Sequence, residues 1–164
     1  MNGDNLKALD DCKTEIGNIR SWIDKNQLDS NIKYLVSYAV IKACGTIEFV
    51  LKDFICDFLS QNSIEETKFF LQRKIIKSSF NPSTQEIGKL FENLSSGWKS
   101  SFESRIKDSQ EKQDLNSLIS LRNSFAHGIA INVSIQVVER YFESGRKILS
   151  YIEDIILNNS MNND

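Results

Sequence analysis

The chain contains one histidine, His127, five positions after Arg122 in the run Ser120-Leu121-Arg122-Asn123-Ser124-Phe125-Ala126-His127-Gly128. An imidazole exchanges protons near neutral pH. A guanidinium keeps its charge and offers a fork of donors that fits phosphate oxygens. Asn123 adds a neutral amide that donates or accepts. These are the parts of a metal-free phosphoryl transfer. Splitting RNA through its own 2′-hydroxyl needs a base for that proton and an acid for the leaving oxygen. It also needs positive charge on the five-coordinate phosphate. One chain brings a single imidazole, whereas a symmetric pair brings two imidazoles and two guanidiniums to one phosphate.

Each residue has a plainer reading beside the chemical one. On a helical wheel Leu115, Leu118, Ile119, Phe125 and Ala126 share a face, with Arg122 near its middle. A charge there needs an acidic partner, a bound anion or an interface. The plain outcome is an ion pair with a carboxylate. His127 lies about 140° around an ideal helix from Arg122, so the two share a pocket only if the helix ends at Gly128. Alternatively, the helix dipole alone accounts for a histidine in the last turn. Asn123 reads equally as a surface residue.

Two further groups stand out. Glu48 sits at the edge of an apolar helix face beside Cys44, Leu51 and Ile55, placed either to pair with Arg122 or to form an i,i+4 pair with Lys52. Arg73, Lys74 and Lys77 cluster around Phe70, with Lys68 nearby and no acid between Thr67 and Gln85. That face suits an RNA backbone or plain solvent.

These groups must be carried by helices. Pro82 is the only proline and there are seven glycines, too few turn-formers for many short strands. Apolar residues at Leu6, Leu9, Ile16, Ile19 and Ile23 predict a helix from about Asp4 to Lys25. A longer one from about Ser30 to Ser60 has a wide face of Ile32, Leu35, Val36, Ala39, Ala43, Ile47, Val50, Phe54 and Phe58, which places it centrally. Ser63-x-x-Glu66 reads as a capping box for a third helix reaching about Ser79, and Ser83-x-x-Glu86 as a second box. The stretch from Ser83 to Ile106 divides near Ser95-Ser96-Gly97 into two short helices. Asp108-x-x-Glu111 opens the helix bearing the Arg/His run, and Gly128 is its C′ residue. After a connector over Ile129 to Val133, Ser134 caps a last helix ending near Leu157. The expected architecture is all-α: an up-and-down bundle of four long helices with shorter ones inserted before the motif helix. Residues 1–157 form one domain, and 158–164 form a frayed tail.

Composition agrees with one folded domain. The chain has 164 residues, 40% hydrophobic and 26% charged, as in an ordinary globular protein. A net charge of −2 makes any nucleic-acid contact local rather than global. Cys12, Cys44 and Cys56 have no C-x-x-C spacing, and with one histidine they are a poor zinc set, so neither metal nor cofactor is expected. They read as reduced core thiols. The N-terminus lacks a signal-peptide pattern. Lys42, Glu48, Lys52 and Asp53 interrupt the longest apolar stretches. No membrane span and a cytoplasmic location are therefore expected.

Leu121-Arg122-Asn123-x-x-Ala126-His127-Gly128 resembles the R-x4–6-H signature of HEPN domains, in its R-N-x-x-A-H form. The similarity covers most of the chain and is greatest to the RiboL-PSP-type HEPN proteins. It implies a metal-independent endoribonuclease of the toxin–antitoxin, abortive-infection or antiviral kind. The resemblance further implies a 2′,3′-cyclic phosphate product, formed at a composite site across a homodimer two-fold axis, with Arg122, His127 and Asn123 as catalytic residues. RNA is the implied substrate, and an antitoxin protein a possible partner. Glu48-x-x-x-Lys52 is similar to an E-x3-K feature of some HEPN groups. In relatives paired with a nucleotidyltransferase antitoxin a tyrosine follows two residues after the histidine. Ile129 stands there instead, which speaks against that mode of regulation. The alternative is a non-catalytic HEPN module for dimerisation, interaction or nucleotide binding. No residue pattern marks which RNA is cut.

Overall fold

The computed structural model describes residues 1–161 and is all-α. Seven α-helices run in the order α1 (Gly3–Lys25), α2 (Ile32–Ser60), α3 (Glu65–Leu71), α4 (Thr84–Leu94), α5 (Ser96–Ile106), α6 (Gln110–Ala126) and α7 (Ile135–Met161). A π-helical turn, Gln72–Ile76, continues α3. The four long helices α1, α2, α6 and α7 pack on one another, and α4 and α5 close the remaining side.

The ends of these helices follow from local chemistry. Asn2 caps α1 by accepting from the Asn5 amide at 2.9 Å. Ser83 caps α4 and Ser95 caps α5, each accepting from an amide three residues on. Ser95 is extended, at φ −162° and ψ 119°, and this divides the predicted stretch into α4 and α5. Two caps differ from expectation. Ser63 does not cap α3, because its hydroxyl donates back to the Leu59 carbonyl at 2.7 Å and closes the end of α2. The helix starts behind Ile64 and gives way to the π turn well before Ser79. At α6 the cap is Ser109, accepting from the Lys112 amide at 3.2 Å, and not Asp108, which takes the left-handed φ of 56°. α7 continues through Met161, beyond the end expected near Leu157; the rest of the expected tail, 162–164, lies outside the described residues.

By length and apolar content α2 alone would pass for a membrane span. Here its apolar face is the core: Val36, Ala39, Val40, Ala43, Ile47, Val50, Leu51 and Ile55 are all buried among α1, α6 and α7. Two features set the placing of α6. Gly145 of α7 lets that helix close on α2 and α6, since a Cβ there would lie 2.3 Å from Ile47 Cδ1 and 3.6 Å from Leu115 Cδ1. Beside it Asp114 of α6, 2% exposed, accepts from Ser144 Oγ and Gln110 Nε2, both at 2.9 Å. A buried carboxylate needs these donors, and Ser144 fixes α6 in register with α7. On the far side Phe58, Phe91, Trp98 and Phe102 meet edge-to-face and tie α4 and α5 to α2.

Candidate active site

α6 delivers the Arg/His run to the surface. Leu115, Leu118 and Ile119 are buried, but Phe125 and Ala126 are exposed, so the last turn emerges from the core. Its end is a Schellman motif. The Gly128 amide donates to the Phe125 carbonyl and the Ile129 amide to the Ser124 carbonyl, both at 2.9 Å. Gly128 takes φ +79°, a conformation that a side chain would strain. The backbone thus satisfies these terminal carbonyls itself. The His127 side chain is exposed and makes no hydrogen bond or ion pair among the described residues. It has no capping work to do.

Arg122 sits at the boundary where α6 leaves the core, half-buried. Its Nη1 donates to Asn123 Oδ1 at 3.2 Å, and it has no carboxylate partner among the described residues. Glu48 is committed elsewhere: its Oε1 accepts from Lys52 Nζ at 2.6 Å. Lys52 is 7% exposed and also donates to the Ser78 carbonyl at 2.6 Å, with the Phe80 ring 5.9 Å away. Of the two partners open to Glu48, the fold gives it Lys52. The pair is part-buried, with Lys52 in the core and Glu48 at its edge, and it ties α2 to the chain leading into α4. The positive charge of Arg122 is still felt locally, acting on the Cys44 thiol from one side while Glu48 acts oppositely. Burial dominates there and pushes that thiol up to about 12.

Arg122 and His127 do not line one cavity. A groove of about 420 Å³ between α6 and the start of α4 is lined by His127, Asn123, Ser120 and Asn116 from α6, and by Asn81 and Gln85 opposite. Arg122 is not among its lining residues but bonds Asn123, which is. Asn123 is therefore the link, with its Oδ1 also accepting from Asn81 Nδ2 at 3.4 Å. Because a guanidinium only donates, Asn123 must turn its oxygen toward Arg122, and Asn81 must then present its NH₂. Asn116 holds the opposite wall by bonding Thr84 through both amide atoms, at 3.0 Å to the Thr84 amide and 3.0 Å to Oγ1.

Asn81, Gln85 and Asn116 were not singled out from the sequence. Asn81-Pro82-Ser83 reads there only as a helix stop followed by a cap. The basic residues Arg73, Lys74 and Lys77 are exposed, on and just after the π turn, which packs chiefly against α2 and α3. Arg73 lies over the Phe69 ring at 5.6 Å.

The sequence profile of the RiboL-PSP-HEPN family matches residues 4–158, nearly the whole chain. The chain belongs to the RiboL-PSP-type HEPN family. HEPN domains are associated with ribonuclease and nucleotide-related functions. Neither a curated protein nor a solved structure matches the chain significantly. In this HEPN chain the signature arginine and asparagine lie near the end of α6 and the histidine is its C-cap, with a glycine just beyond fixing how the chain leaves the helix.

Proposed function

We propose that this HEPN protein is a metal-independent endoribonuclease of the toxin or antiviral-defence type, working in the cytoplasm as a homodimer with a composite site. The observation that carries the reading is the state of the two charged-chemistry residues. His127 is exposed and uncommitted, and Arg122 is half-buried yet bonded to a neutral amide rather than to a carboxylate. A half-buried guanidinium without an acid is costly as a structural element. It is what an anion site needs.

In the proposed reaction the guanidinium forks hold the scissile phosphate. One His127 takes the proton of the 2′-hydroxyl as its oxygen attacks phosphorus. The bond from phosphorus to the 5′-oxygen breaks. The His127 of the second copy protonates that oxygen, leaving a 2′,3′-cyclic phosphate and a 5′-hydroxyl. Asn123 orients Arg122 without neutralising it. Glu48 is a support residue of the α2 wall, and Arg73, Lys74 and Lys77 are a second surface available to an RNA backbone.

Purified protein is expected to cut single-stranded RNA in EDTA, with both His127→Ala and Arg122→Ala losing at least a hundredfold in rate while keeping their helical circular dichroism. Equal cutting by the parent and the His127→Ala protein ends the proposal. A non-catalytic interaction module would be expected to pair Arg122 with an acid of its own protomer, and no such pair occurs among the described residues.

A further inference from the structure

The groove beside His127 carries no charged side chain, although it borders the proposed phosphate site. Its polar lining is carboxamide and hydroxyl: Asn81, Gln85, Asn116, Asn123 and Ser120, with the imidazole at one end. A wall built for phosphates would carry lysine or arginine. Neutral amides instead match the donor and acceptor edges of nucleobases. Ile129, exposed just past Gly128, adds an apolar wall for the flat face of a ring. The volume of about 420 Å³ lies within the range of sites that hold small flat ligands.

A second depression of about 660 Å³ lies between α4, α5 and the N-terminal half of α6, and it shares Gln85 and Asn116 with the first, so the two adjoin there. Lys107 and Lys112 line it, exposed and without an ion pair among the described residues, and Glu103 lines it too, four positions before Lys107 on α5. From Lys112 to His127 along α6 is roughly 22 Å, room for a few nucleotides. Amides lie next to the reacting end and lysines further off.

We infer that this trough is the track of a single-stranded RNA. An unpaired base beside the scissile linkage sits in the amide-lined part, where Gln85 reads its edge, and a neighbouring phosphate rests on Lys107 and Lys112. The inference rests on the ribonuclease reading for the chemistry at its His127 end. It assigns substrate binding to residues other than the basic group Arg73, Lys74 and Lys77.

The test is binding of 2′-O-methyl homopolymer tetranucleotides of A, C, G and U, which cannot be cut through the 2′-oxygen, measured by fluorescence anisotropy across a salt series. The parent is expected to favour one base about tenfold, the scale of one good amide–base pair. Gln85→Ala should level that preference and leave the salt dependence unchanged. Lys112→Ala and Lys107→Ala should weaken all four oligonucleotides alike, each lowering the slope of log affinity against log salt by about 0.7. Equal binding of all four bases by the parent, no binding at all, or a slope that changes only in Arg73→Ala and Lys74→Ala overturns the track. None of these results depends on cleavage. A chain that cuts RNA yet fails here keeps its activity and loses this binding face, and one that binds as described but does not cut loses only the catalytic proposal.

Discussion

Arg122 and Asn123 are neighbours in sequence, yet their side chains meet, Nη1 to Oδ1 at 3.2 Å. On a helix, successive side chains point about 100° apart, so this contact requires both to lean toward each other. It aims the guanidinium without cancelling its charge. Asn123→Ala should therefore cut the rate of RNA cleavage by about tenfold or more, the loss of one orienting hydrogen bond to a charged group. Asn123→Asp should be worse for activity and neutral or favourable for stability, because a carboxylate would pair with Arg122 and compete with phosphate. Steady-state cleavage rates and melting temperatures of the two variants provide the comparison. An Asn123→Asp protein as active as the parent would sink the assigned role.

The position of His127 depends on Gly128. A residue with a Cβ at φ +79° costs about 1 kcal/mol. Gly128→Ala should lower stability by that amount in a urea titration. It should lower cleavage by much more, since a changed exit from α6 moves the imidazole. A loss of activity no larger than the loss of folded protein would show that the end of α6 does not set the geometry.

Glu48 and Lys52 offer a clean separation of support from catalysis. With Lys52 only 7% exposed, Glu48→Ala leaves a buried ammonium holding just the Ser78 carbonyl. The expected loss is roughly 3 kcal/mol, seen as a lower urea midpoint. Lys52→Met, which removes the buried charge while keeping the chain length, should cost less than Glu48→Ala. If Glu48 instead served Arg122, cleavage would fall in Glu48→Ala with stability intact, the reverse pattern.

Much of this arrangement is legible in the residues because it is local. The division at Ser95, the cap at Ser83 and the C′ role of Gly128 depend on hydrogen bonds spanning a few positions. So do most helix bounds. Where two cap candidates adjoin, as Asp108 and Ser109 do, spacing does not choose between them; the structure takes Ser109 and leaves Asp108 at positive φ. Ser63 goes astray for a related reason, since a hydroxyl between two helices can close one or open the other, and here it closes α2. The site itself is half legible. Arg122, Asn123 and His127 stand out by type and spacing. The facing wall does not, because Asn81 bonds Asn123 from 42 positions away and Thr84 bonds Asn116 from 32 positions away, contacts made only by the packing of α4 and the segment leading into it on α6. The Glu48–Lys52 pair was visible as i,i+4 spacing, but its burial depends on where Ser78 and Phe80 fall.

The cysteines give a last expectation that follows from burial. Cys44 is buried against the Leu118 carbonyl, with its thiol pushed up to about 12 by desolvation, and desolvation also raises Cys12. Reaction with iodoacetamide needs the thiolate, so both should resist alkylation at pH 8 in the folded protein and react fully in urea, as mass spectrometry would report. The same shift has a consequence for stability. Between the ordinary thiol value of 9.0 and about 12, the unfolded chain releases the Cys44 proton while the folded chain keeps it. The folded state then binds more protons, so stability falls as pH rises through that window. Urea midpoints should therefore decline above pH 9 in the parent and decline less steeply in Cys44→Ala. Were the alkaline limbs of the two to coincide, Cys44 would not be the buried, proton-holding thiol that its place between α2 and α6 requires.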